Sequence, residues 1–529
     1  MVEDEHGRRR PTPQRVCRLC RLAPDRERRL LALGALRPRE LVDDAYISFR
    51  YTRNLAAGQG LVFNPGERVE GYTNFLWVVL LAVPALLGID IPTAGQVLGG
   101  LCAGLTIFTT AFLLPPASPL TWRRLLAPAL LALNATFAMW AVHGLETALF
   151  TLLVTLGVRA DLYARTRRGW SGGPGVWWAL ATLTRPEGAA LFAASLGYDL
   201  VRRRRRWLEE RGWVTLLVYG GIVGAHLAWR LGYYGYPLPN TFYAKAGLSW
   251  PLIRRGVGYV SAFFFEVHSA AWLLMVPAVL RARRDARLGY LVWMASAYLA
   301  AVAVEGGDFF PAYRFVVPIY PLLYTLAQEG TWVVLRWLRP FAPARAARVA
   351  VLLLLLLWLP HTFAMRRSAD VESAGGEAFT GSLKMAALEL KRHFPPATTI
   401  AANPVGALAY YSDLHVIDLL GLTDVHIAHS PAPELGTGIA AHEKGDGNYV
   451  FARKPDAFLV GNVLINGTPP GIFMTQTWPA WLKSEREFVQ RPELKQWYRR
   501  QFLRLPDGRY LYFLQRVENG PHSRPYENM

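Results

Sequence analysis

The sequence predicts an α-helical polytopic membrane protein followed by a soluble α+β domain. Three observations carry this expectation. Hydrophobic residues make up 52% and charged residues only 18% of 529 positions, against about 25% charged in an ordinary soluble chain. Apolar runs near the length of a membrane span recur as far as residue 365. From Arg366 onward hydrophobicity drops and charges of both signs mix, as in a soluble domain. The net charge of +19 would suit a nucleic-acid binder. The arginines, however, sit in short clusters between apolar runs, so the expected partner is the lipid bilayer and no nucleic acid. Three cysteines cannot staple 529 residues, which excludes a disulfide scaffold.

A bilayer core needs about 20 mostly apolar residues per helix. The expected spans are 93–114, 125–142, 146–163, 174–186, 188–201, 213–231, 258–280, 288–304, 314–336 and 348–365. Arg185-Pro186-Glu187-Gly188 interrupts the fourth and fifth, and a broken helix is tolerated where it lines a protein cavity. Arginine clusters at 123–124, 165–168, 202–206, 281–287 and 336–348 occupy every second connection, which places those connections in the cytoplasm. The alternate connections then face outward, together with residues 366–529. Tyr72 to Gly88 is expected to lie against the outer leaflet, with Tyr72, Phe75 and Trp77 at the interface. Residues 43–92 thus form one outer loop and 93–365 a bundle of about ten helices. Residues 1–42 are an arginine-dense lead whose longest apolar stretch, Leu30 to Leu36, is too short to span, so an expected first helix is missing there.

In the carboxy-terminal domain, Lys384 to Phe394 reads as an amphipathic helix. Thr398 to Ala402 and Ala457 to Val460 read as strands, and Phe502 to Arg516 as strand–turn–strand about Pro506-Asp507-Gly508.

The sharpest chemical feature is Asp43-Asp44, which opens the outer loop before Ala45-Tyr-Ile-Ser-Phe49. A carboxylate there can act as general base on a hydroxyl. The bland alternative is a helix N-cap for a helix over 44–57. Outward cations are Arg50, Arg53, Arg68, Arg185, Lys245 and Arg314; Glu146, Glu187, Glu305 and Asp308 lie at outer helix ends. Ionisable groups at that depth are functional by default, and mutual ion pairing is the plainer outcome. Tyr46, Tyr72, Trp77 and Tyr243 can stack on a sugar or serve as interface aromatics. Cys17 and Cys20 form a lone CxxC, and His415, His426, His429 and His442 lack ligand spacing, so no metal site is expected.

The stretch from Asp43 to Trp77, DDAYISFRYTRNLAAGQGLVFNPGERVEGYTNFLW, resembles the first outer loop of bacterial GT-C glycosyltransferases. It is most similar to the terminal β-(1→2)-arabinofuranosyltransferase group. The resemblance continues through Gly144-Leu-Glu-Thr-Ala148, Thr184-Arg-Pro-Glu-Gly188, Pro239-Asn-Thr-Phe-Tyr-Ala-Lys245, Asp418-Leu-Leu-Gly-Leu-Thr-Asp424 and His442-Glu-Lys-Gly-Asp446. It implies a GT-C-like transmembrane bundle in the bacterial inner (plasma) membrane. It also implies a lipid-linked sugar donor, a polyprenyl-phosphate sugar, and a glycan or cell-envelope acceptor. Asp43 would be the base and Asp44 its partner. Lys245, on a Pro-rich loop, and Arg185, in the broken helix, would lead the donor phosphate site, with Arg314 and Arg50. Glu70, Tyr72, Asn74, Glu146, Glu187, Asn240, Tyr243 and Asp308 would bind sugar or acceptor. The sequence leaves open whether a divalent cation assists. Alternative readings are a protein O-mannosyltransferase-like enzyme and a non-catalytic membrane protein for envelope or flagellar assembly.

Overall fold

The computed structural model describes residues 41–115, 122–166, 172–209, 212–338 except 246, 248 and 268, then 340 and 358–517 except 433 and 434. The charged lead and its CxxC lie outside the described residues. From Leu41 the chain packs as one unit.

Helix α1 (Asp43–Ala56) opens it, and an irregular loop leads to α2 (Phe75–Leu86). Twelve residues of α-helix reach about 18 Å, short of the roughly 30 Å a bilayer core demands. Two of the aromatics expected at the interface are instead core: Tyr72 and Trp77 are buried against protein. Asp90 caps α3 (Ile91–Ala111) by accepting from Thr93 N at 3.0 Å, with Pro92 in the first turn.

The expected span 125–142 is two short helices, α4 (Leu126–Ala132) and α5 (Ala135–Val142). The break falls at Asn134, whose side chain caps α5 at Phe137 N and donates to the Tyr324 hydroxyl, both at 2.7 Å. Helices α6 (Thr147–Ala164), α7 (Gly172–Thr184) and α8 (Glu187–Glu209) follow, with the expected interruption between α7 and α8 at Arg185-Pro186. Next come α9 (Gly212–Tyr234), the short α10 (Asn240–Lys245) and α11 (Trp250–Glu266). The expected span 258–280 resolves into the end of α11, a 3₁₀ run over Ser269–Met275, and α12 (Val276–Arg281). After α13 (Ala286–Val304), the expected span 314–336 begins as a 3₁₀ turn, Arg314–Ile319, containing Pro318, and continues as α14 (Tyr320–Leu338). Among the described residues, α3, α6, α9 and α13 are long and apolar enough to cross a membrane. The others are short, broken or charged.

The joint expected at residue 366 is no linker. One helix, α15 (Trp358–His393), runs through it from the apolar stretch into the following domain. Its end carries the expected amphipathic face, with Leu383, Ala386, Ala387 and Leu390 buried at helical spacing.

The domain beyond α15 is built on β1 (Thr399–Ala402), α16 (Gly406–Ser412), β2 (His415–Asp418), β3 (Ala457–Phe458), β4 (Ile465–Asn466), β5 (Tyr498–Arg504) and β6 (Tyr510–Arg516). The sheet order is β2-β1-β3-β6-β4, with β5 on β6. β1 pairs in parallel with β2 and β3, and β6 runs antiparallel to β3, β4 and β5. The β5–β6 turn uses Gly508 at φ 87°, a conformation that glycine adopts without strain. The expected strand 457–460 is shortened to β3. The short β2 and β4 carry too little alternation to be read from sequence.

Candidate active site

The end of the helical bundle that carries α1, the α7–α8 break and α10 encloses a cavity of about 660 Å³. A second cavity of about 230 Å³ lies beside it, toward α15 and the sheet. Asp44, Ile47, Lys245, Phe309, Leu422 and Ala441 line both and form their common wall.

The two members of the acidic pair have different surroundings. Successive residues on a helix point about 100° apart; both carboxylates border the smaller cavity, and Asp44 borders the larger one as well. Asp43 does not cap its own helix, whose N-cap is Val42. Its carboxylate accepts from Ala407 N at 2.7 Å and Gly406 N at 3.1 Å, at the start of α16. The fit is close: a Cβ on Gly406 would fall 1.9 Å from the Asp43 carbonyl oxygen. Asp44 is half-buried, lines both cavities, and has no hydrogen-bonding or ionic partner among the described residues.

Burial pushes the Asp43 carboxyl up from 3.8 to about 7; the Asp44 charge adds to this, and the two amide hydrogen bonds oppose it. A proton is thus held by the folded state over a pH window in which the unfolded chain releases it. The corresponding stability is fully present below about pH 4 and is lost as pH rises toward 7, a change on the order of 2–4 kcal/mol. Asp43→Asn should therefore show a flatter stability profile than the wild type. Thermal unfolding in lipid nanodiscs between pH 5 and pH 8 checks this, and parallel profiles would place the titration elsewhere.

The larger cavity takes its charges from helix ends. Arg185, at the α7–α8 break, pairs with Glu146 at 2.8 Å and Glu187 at 2.5 Å. Its guanidinium lies 4.7 Å from the Phe315 ring centroid. Arg314 pairs with Asp308 at 2.7 Å and lies 4.3 Å from the Phe310 ring centroid. Arg255, a lining residue that the sequence reading did not single out, pairs with Glu443 at 3.3 Å. Asn74 donates to Glu146 at 2.8 Å, and Tyr72 lines the same wall. Among the described residues, Lys245 is the cation lining this cavity that has no carboxylate partner.

Other expected site residues stand elsewhere. Arg50 is buried and donates to the carbonyls of Phe63, Ala409 and Leu414 and to Asn64. It ties the first loop to the sheet domain. Glu70 is buried in a pair with Arg230 at 2.8 Å. Asn240 donates to the carbonyls of Gly421, Leu422 and Asp424. Tyr243 stacks on His429, with ring centroids 4.3 Å apart. None of these four lines either cavity. The motif residues 442–446 act largely as a clasp: Lys444 donates to the carbonyls of Ala428 and Ser430, and Glu443 accepts from Gly436 N and Gly438 N. Among the described residues, no cluster of three or more His, Cys, Asp or Glu could hold a metal ion.

The described helices thus gather carboxylates and cations around a cavity that the α+β domain borders. The chain is 33% identical over 273 residues to the terminal β-(1→2)-arabinofuranosyltransferase of Mycobacterium tuberculosis, a match covering 47% of this chain and 41% of that protein. It is 28% identical over 327 residues to the protein of the same name from Corynebacterium glutamicum, covering 53% and 46%. The match thus spans less than half the length of either curated relative. A family model described as a domain of unknown function, DUF8728, matches residues 370–512. Among solved structures, ArnT from Cupriavidus metallidurans bound to undecaprenyl phosphate is similar at 17% identity and TM-score 0.47, covering 72% of this chain and 82% of that one. The archaeal oligosaccharyltransferase AglB from Archaeoglobus fulgidus is similar at 12% identity and TM-score 0.45, covering 72% and 61%.

Proposed function

We propose that this protein is an integral membrane glycosyltransferase. It moves a sugar, arabinofuranose, from a polyprenyl-phosphate donor to an extracytoplasmic glycan acceptor. The observation that carries this reading is the common wall of the two cavities, which is lined by a carboxylate, Asp44, and an ammonium, Lys245, that have no ionic partner among the described residues. The names of the curated relatives support the choice of sugar.

Such a transfer needs a base for the acceptor and a cation for the departing group. Asp44 takes the acceptor hydroxyl proton while that oxygen bonds to the anomeric carbon. The anomeric carbon–oxygen bond to phosphate breaks, and its electron pair leaves on the polyprenyl phosphate, which gains one negative charge. Lys245 meets that charge, in a cavity also lined by Arg185, Arg255 and Arg314. Asp43, with both oxygens engaged by amide N–H groups, holds the α+β domain against the pair. The roles within the doublet are therefore the reverse of those the sequence resemblance implies.

The test is reconstitution in nanodiscs with a polyprenyl-phosphoryl arabinofuranose donor and an arabinofuranose-terminated oligosaccharide. The expected products are the oligosaccharide extended by one sugar and free polyprenyl phosphate. Transfer from a mannosyl donor alone, or onto a peptide, would move the assignment to the O-mannosyltransferase-like reading.

The same reading puts the α+β domain outside the cytoplasm, as the alternating arginine clusters predict. In a background with Cys17 and Cys20 replaced by serine, Asp507→Cys, at the exposed β5–β6 turn, should react with an impermeant maleimide in intact cells. Labelling only after the membrane is opened would invert the topology.

A further inference from the structure

The smaller cavity differs in chemistry from its neighbour. Among the described residues, its lining contains no arginine. Apart from the shared Asp44 and Lys245, and Asp43 with both oxygens engaged, its polar side chains are Thr380, Asn403, His442 and Asn462. Three phenylalanines, Phe309, Phe310 and Phe379, supply apolar surface. Gly376, Phe379 and Thr380 come from one face of α15, at spacings of three and four residues that place them side by side.

Two of the polar groups are informative. Thr380 is 1% exposed, and its hydroxyl has no hydrogen-bond partner among the described residues. A buried hydroxyl without a partner is costly unless a ligand or water satisfies it. Asn403 is buried and donates to the Asn462 side chain at 3.0 Å, which fixes the orientation of its amide. At about 230 Å³ the cavity falls below the roughly 300–1,000 Å³ usual for drug-sized ligands. A single terminal sugar suits that space and a polyprenyl chain does not.

We propose that the smaller cavity is the acceptor subsite and takes a neutral, hydroxyl-rich terminal sugar. Thr380 and the Asn403–Asn462 amide pair bind its hydroxyls, and Phe379 packs against its apolar face. This rests on the transferase reading. It explains why Asp44 stands in the wall between the two cavities: one side presents the phosphate-linked sugar and the other the hydroxyl to be deprotonated. It also gives α15 a task, since the helix that joins bundle and sheet carries part of the acceptor wall.

The test measures binding apart from turnover. The full chain in nanodiscs is titrated with an arabinofuranose-terminated oligosaccharide and, separately, with undecaprenyl phosphate. The variants are Thr380→Val, which keeps the volume, and Phe379→Leu, at a half-open position that folding tolerates. Each should weaken oligosaccharide binding by roughly fivefold, as the loss of one neutral hydrogen bond or ring contact implies, with undecaprenyl phosphate binding unchanged. Oligosaccharide affinity equal to wild type in both variants, or weakened undecaprenyl phosphate binding in place of it, overturns the proposal. Wild-type protein that binds the oligosaccharide through these residues but transfers no sugar upholds the subsite and fails the transferase reading. Wild-type protein that transfers sugar onto this oligosaccharide with no effect of either variant on its KM fails the subsite alone.

Discussion

Asp44→Asn is expected to lower sugar transfer by roughly 10²- to 10⁴-fold, the usual contribution of a positioned general base. The substitution keeps size and polarity and removes only the ability to take a proton. The variant should fold and insert normally, because no partner among the described residues depends on the carboxylate. Its KM for donor should move little, since an acceptor base acts in the transition state and not in donor binding. Asp43→Asn is the control. There the side chain serves the first amides of α16, so the variant should alter stability and its pH dependence more than the chemical step. The comparison is made with purified variants at saturating donor and acceptor. Full activity in Asp44→Asn with none in Asp43→Asn would restore Asp43 as the base.

This division of labour also marks where the sequence stopped being legible. The doublet itself stands out as an acidic pair opening a loop, but alone it reads equally as a helix N-cap, and the flanking motif from Ala45 to Trp77 turns the reading toward catalysis. Which of them has its oxygens engaged by backbone amides depends on where α16 docks, and Gly406 at its start lies 363 residues further along the chain. The same limit applies to Arg50, Glu70 and Asn240. Each sits in a polar motif that the arginine pattern predicts to face outward, and each is taken up by backbone carbonyls or an ion pair from distant segments. Arg185, Glu146 and Glu187 were legible as a group because the Arg185-Pro186 break is local chemistry and their mutual pairing is its plain consequence. Span boundaries failed where a cap or a proline outweighed hydropathy, at Asn134 and in the turn containing Pro318. The α15 helix crosses the expected domain joint because composition changes there while helical character does not. Thr380 and Asn403 carried no local signal, since an unpaired hydroxyl becomes visible only once its surroundings are folded.

Lys245→Ala should weaken binding of the polyprenyl-phosphate donor about ten- to a hundredfold. The other cations of the larger cavity already have partners: Arg185 with two glutamates, Arg314 with Asp308, and Arg255 with Glu443. Their charge is largely offset before any ligand arrives. Lys245, on the short α10 next to a Pro-rich turn that keeps the chain from continuing as regular helix, has no carboxylate partner among the described residues. A lone ammonium in a partly desolvated cavity gains most when a phosphate enters, and losing one charge-assisted contact costs about 1.5–3 kcal/mol, which is the predicted factor in affinity. Lys245→Arg should recover part of it, because charge returns with altered geometry. Arg185→Ala is a poor probe of the same question. It would leave Glu146 and Glu187 buried without their cation, and breaking such a pair costs about 3–5 kcal/mol of stability, so any loss of binding would be confounded with unfolding. Undecaprenyl phosphate titrated into nanodisc-held wild type, Lys245→Ala and Asp44→Asn separates the roles. Affinity should fall in the lysine variant and hold in the aspartate variant. Unchanged affinity in Lys245→Ala would mean that the paired arginines exchange their carboxylates for phosphate, and the donor site would then centre on the α7–α8 break.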